Sequence, residues 1–109
     1  MPSHIPEPDW RRFKEVHAKL VERYCSRILE EVAAASQATE GSAHDRYVKV
    51  YRLIKERDKE LSTAFDDYRR STAVMQLGIM RRMGLLTDEE LLLFSEETRA
   101  SVEAFGSLC

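Results

Sequence analysis

The chain of 109 residues reads as an all-α protein. The expected architecture is an antiparallel hairpin of two long helices plus a shorter third helix, completing a helical bundle by dimerisation. Three observations carry that reading. Four glycines and three prolines are too few for the turns that a sandwich or barrel places every ~8 to 12 residues. Apolar residues recur three and four apart along three stretches. One stretch also keeps a heptad interval far longer than an ordinary surface helix needs. At 43% hydrophobic and 33% charged residues, the chain is neither a membrane span nor a disordered tail, and its length suits one domain.

Every proline lies in an arm of residues 1–8, so nothing later lacks a backbone N–H. The first helix is expected over about 9–39, with Asp9 capping its orphan amides. Its stripe is Trp10, Phe13, Val16, Leu20, Tyr24, Ile28 and Val32, widened by Val21, Cys25, Leu29 and Ala33. Gly41 suits the left-handed position after that helix, and Ser42 followed by Asp45 marks the start of the next.

The second helix is expected over about 43–83. Its seam is Tyr47, Tyr51, Ile54, Asp58, Leu61, Phe65, Tyr68, Thr72, Met75, Ile79 and Arg82, alternating intervals of four and three. Such a run predicts coiled-coil-like antiparallel packing over roughly 60 Å. Gly84 ends it, and Thr87 with Glu90 forms a Thr-x-x-Glu capping box for a third helix over about 88–105. Leu91, Phe94, Thr98, Val102 and Phe105 share one face of that helix, and residues 106–109 form a tail. Short turns set both flanking helices antiparallel to the second, end to end along it.

Two layers of helix bury one stripe each, yet the end of the second helix is apolar all round. Val74, Met75, Leu77, Ile79, Met80, Met83 and Leu86, with Leu92 and Leu93 beyond the turn, are therefore the candidate oligomer interface. Exposing them would forgo roughly 1.5–3 kcal/mol each, which points to a twofold dimer. Asp58 is the one carboxylate on the seam. It needs a cation or a hydrogen bond, from Arg23, Arg57 or a symmetry mate, and a polar group there sets register.

Seventeen basic and nineteen acidic residues leave a net charge of −2, with no overall signature of a nucleic-acid or membrane binder. The charge is uneven: +4 over residues 43–86 (10 basic, 6 acidic) and −5 over 87–109 (1 basic, 6 acidic). Arg11 and Arg12 should face Arg69 and Arg70 in the hairpin, a candidate patch for an anion or an acidic partner unless Glu15, Asp66 and Asp67 neutralise it. His4, His17 and His44 fit neither HExxH nor the Glu-x-x-His spacing of bundle metal sites, and no phosphate-binding glycine loop or nucleophile motif is present. No catalytic residue, metal or cofactor is therefore assigned. Cys25 and Cys109 form no CxxC pair, residues 1–8 carry no basic-then-apolar leader, and no apolar run approaches ~20 residues. The expected compartment is the cytoplasm.

The expected function is a small non-enzymatic homo-oligomeric interaction or regulatory protein, with a second copy and another protein as partners. Nucleic-acid association through residues 43–86 is one alternative. The other is a small-ligand or enzymatic site at the subunit junction around His17, Asp58 and the arginines.

Overall fold

The computed structural model describes residues 5–107. Met1 to His4 of the arm, with His4, and Leu108 and Cys109 of the tail lie outside the described residues. The described chain is helical, with no strand among those residues.

Helix α1 (Glu7–Ser36) opens two residues before the expected start, with Pro8 in its first turn where a missing N–H is harmless. Asp9 does not cap it. That carboxylate is buried and turned toward the far end of the chain. After the turn at Gly41, Ser42 caps α2 (Ala43–Phe65) through a reciprocal box: its hydroxyl accepts from the Asp45 amide at 3.0 Å, and its own amide donates to Asp45 Oδ2 at 3.1 Å. The two helices run antiparallel, His17 lying against Phe65, Tyr24 against Glu60 and Glu31 against Arg57.

The second helix is not continuous to residue 83. It stops at Phe65, and only after a 3-10 turn over Arg70–Thr72 does α3 (Ala73–Arg82) begin. Neither glycine nor proline marks the break. Side chains supply the partners that helical continuation would have used. The Thr72 hydroxyl donates to the carbonyls of Asp67 (2.6 Å) and Arg69 (3.0 Å), and Gln76 Nε2 donates to Asp67 at 2.5 Å. Arg70 Nε donates to the carbonyl of Ile5 at 2.8 Å, and its Nη1 to Glu7 at 2.9 Å. Arg70 thus fixes the break to the start of α1, while Arg23, farther along α1, holds Leu85 and Glu90 just past α3. The chain therefore reverses, and α3 runs back alongside α1 instead of prolonging α2.

At the end of α3, Gly84 (φ +71°) places the Leu85 amide on Met80 O (2.9 Å) and its own on Arg81 O (3.1 Å). This is the Schellman arrangement that a left-handed residue permits. The Thr87–Glu90 box is present and opens the short α4 (Asp88–Leu91). The expected third helix is itself broken at residues 92–95, then resumes as α5 (Glu96–Ser107).

Because of the two breaks, α3, α4 and α5 gather around the first half of α1. The core is Phe13, Val16 and Leu20 of α1, Ala64 and Phe65 of α2, Leu77 and Met80 of α3, with Leu85, Leu86, Leu91, Phe94 and Val102. The remaining halves of α1 and α2 project from this body as a bare two-helix arm, giving a molecule of 54 × 22 × 22 Å. Gly78 lies against Phe105 of α5: a Cβ there would sit 2.3 Å from the Phe105 ring.

Candidate functional site

The body accounts for most of the residues singled out as an oligomer interface. Leu77, Met80 and Leu86 are buried within the single chain, and Val74, Ile79 and Met83 pack on the same core with Met75 half-buried. An all-round apolar α3 is satisfied here by α1 and α5 of its own chain, a possibility that a continuous second helix would have removed. Leu92 and Leu93, in the break before α5, stay exposed.

The four arginines are brought to one region, and each is ion-paired. Glu7 sits between Arg11 (3.6 Å) and Arg70 (2.9 Å), Glu15 holds Arg12 at 3.7 Å, and Asp67 holds Arg69 at 2.7 Å. Arg70 also spends a donor on Ile5. Glu7 serves two of the arginines, so four guanidinium groups meet three carboxylates and the cluster is largely, not fully, compensated.

His17 and Asp58, placed together as one possible site, are separated. His17 is half-buried among Phe13, Phe65 and Tyr68, and its Nε2 donates to the Phe65 carbonyl at 3.3 Å. Burial lowers its pKa, against the opposing pull of that carbonyl. Asp58 lies well up the arm, exposed, with neither a hydrogen bond nor an ion pair among the described residues.

Two polar assemblies lie outside that set. The first joins α1 to the start of α5. Asp9 accepts from the Ser95 amide (2.9 Å), the Ser95 hydroxyl (2.6 Å) and the Thr98 hydroxyl (2.5 Å). Burial pushes the Asp9 carboxyl up, but those three bonds and the charge of Arg99 outweigh it and hold the carboxyl below its usual range. The second lines a groove of about 650 Å³ between α1, α2 and α3, walled by Tyr24, Arg27, Glu31, Arg57, Ile79 and Met83. Arg57 bridges Glu31 (3.0 Å) and Glu60 (3.1 Å), and the Tyr24 hydroxyl donates to Glu60. Burial, then the neighbouring Glu60, push the Tyr24 phenol far above its ordinary value. It is a fixed donor, not an acid. The antiparallel register alone places Arg57 and Glu60 across from Tyr24 and Glu31, and that pairing of opposite charges was the available signal.

The first assembly sets the Ser95 hydroxyl on a carboxylate, but Asp9 is held below its usual range and is a correspondingly weak base; the second joins a phenol to a carboxylate with no nucleophile beside it. Among the described residues no three His, Cys, Asp or Glu side chains gather as metal ligands, and no helix is long and apolar enough to cross a membrane.

The titrating groups set an acid-side loss of stability in two steps. His17 takes up a proton less readily in the fold than in the unfolded chain, where it does so near pH 6.5, so stability falls as pH drops below that value. Asp9 and Glu90, the latter held down by Arg23, are more acidic folded than unfolded. Their stabilisation is complete above their ordinary values of 3.8 and 4.5 and is lost as pH falls through the lower folded ones. Thermal midpoints measured against pH should show both limbs, with His17→Gln flattening the upper one only. A wild-type midpoint that holds constant from pH 7 to 5 would contradict the burial of a neutral His17.

No protein-family model matches the chain, and the comparisons with curated proteins and with solved structures find no match either.

Proposed function

We propose that the protein is a non-enzymatic helical interaction module that acts as a homodimer in the cytoplasm, its two hairpin arms completing one bundle. The observation that carries this reading is the course of the heptad seam on α2. Phe65 belongs to the core at 5% exposure, Leu61 is half-buried, and Ile54, Tyr51 and Tyr47 rise to 48%, 57% and 67%. A periodic apolar seam that leaves its own core and continues for three more turns calls for a further layer of helix. The interface thereby moves from the α3 region, which the chain covers itself, to the arm.

One fact weighs against the nucleic-acid alternative: each of the four clustered arginines already has a carboxylate partner. The exposed basic residues of α2, Lys49, Arg52, Lys55 and Lys59, are what supports it. A catalytic reading has, among the described residues, only the Ser95 hydroxyl on Asp9 for support, and Asp9 is a weakened base.

Light scattering tests the proposal. Wild-type protein should have about twice the chain mass of 12.6 kDa at micromolar concentration, and Tyr51→Glu should be monomeric with unchanged helix content. A charge at the seam desolvated without a partner weakens association by roughly 2 kcal/mol or more per subunit. A wild-type mass of one chain would overturn the proposal.

A further inference from the structure

The arm has a front and a back. On α1, Arg23 and Arg27 reach forward to Leu85, Glu90 and Gly84 of the body. At 100° per residue, Cys25 and Leu29 stand about 200° from them, on the opposite side. On α2, Thr63 and Lys59 line the groove against Ile79 and Met83. Ile54, nine residues before Thr63, lies half a turn round the helix from it, and Tyr47, Tyr51 and Asp58 share its face. Both helices therefore turn apolar side chains to the back: Leu29 (67% exposed) from α1, and Tyr47, Tyr51 and Ile54 from α2.

Within this face the charges are incomplete. Asp58 sits on the seam and Lys55 on its flank, and neither takes part in an ion pair or hydrogen bond among the described residues.

We infer that the back of the arm receives the same face of a second copy, with the two α2 helices antiparallel and crossing near residue 56. The inference rests on the homodimer reading above and adds its geometry. Layering the exposed part of the seam in antiparallel order sets Tyr51 against Leu61 and Ile54 against Asp58 of the partner, with Tyr47 reaching the point where the partner's seam enters its own core. Each Asp58 then meets the partner's Lys55, beside Ile54, and the twofold axis makes the contact twice. Parallel pairing would instead set the two Asp58 carboxylates against each other. The face extends about 21 Å from Tyr47 to Leu61, by about 20 Å across two helices. Counting both partners this covers roughly 850 Å², the size of a weak, concentration-dependent interface.

Charge substitution separates the geometry from the existence of a dimer. Asp58→Lys alone places two lysines opposite each other in each antiparallel contact and should weaken dimerisation by about tenfold or more in sedimentation equilibrium. Asp58→Lys with Lys55→Glu in the same chain restores opposite charges across the axis and should return the dissociation constant to within about threefold of wild type. Both positions are exposed, so circular dichroism should show unchanged helix in each variant. A dimer that Asp58→Lys leaves unchanged, or that the double exchange does not restore, would overturn the antiparallel pairing while leaving the homodimer standing. A monomeric wild type would overturn both.

Discussion

Asp9→Ala should lower stability by about 3 kcal/mol, read as a fall in the urea midpoint at unchanged slope. The carboxylate is 3% exposed and accepts from the Ser95 amide and from the hydroxyls of Ser95 and Thr98 that converge on it. Bonds to a charged acceptor are worth about 1.5–3 kcal/mol each, but Ser95 lies near solvent and can rehydrate. Thr98, at 2% exposure, cannot, and bears the full cost of an unmade bond. Asp9→Asn should fall between wild type and alanine, since one oxygen still accepts. Equal stability of Asp9→Ala and wild type would mean that α5 is not held by this contact.

Gly78→Val should cost about 3 kcal/mol. The first added carbon meets Phe105 Cδ1 at 2.3 Å, so the ring or α5 itself must move. Against that, Gly78→Ala gains up to about 1 kcal/mol of helix propensity, which leaves alanine the milder of the two. Relief is testable: Phe105→Leu removes the ring, so the double variant Gly78→Val/Phe105→Leu should be more stable than the sum of the two single losses. Strict additivity would show that the two residues do not touch.

These two residues also mark where the sequence is legible and where it is not. Ser42 with Asp45, Thr87 with Glu90, and Gly84 act on neighbours within a few positions, and each signal is local. Asp9 carries the same local signature of a cap, but its bonds go to residues 86 and 89 positions away, and no spacing rule reaches that far. The break after Phe65 is hidden for the same reason. The periodicity across it is intact, and what ends the helix is Arg70 reaching back to Ile5 and Glu7. With the break unseen, the apolar α3 looked like a surface in need of a partner. It is core, and its covering by α1 and α5 shifts the unpartnered surface to the arm.

The same seam therefore has two fates. From Phe65 downward it joins the core of one chain, Leu61 packs half-buried at its edge, and from Asp58 upward it stays outside. Asp58, expected to set register on a buried seam, stands on the outer part, exposed to solvent.

Amide hydrogen exchange followed against protein concentration tests this most directly. If a second copy covers the back of the arm, the amides of residues 46–60 should exchange slowly at tens of micromolar. They should exchange several-fold faster after dilution to nanomolar, while α3 and α5 keep one rate at both concentrations. Exchange in the arm that is independent of concentration would contradict the account, as would protection that appears instead at Leu92 and Leu93.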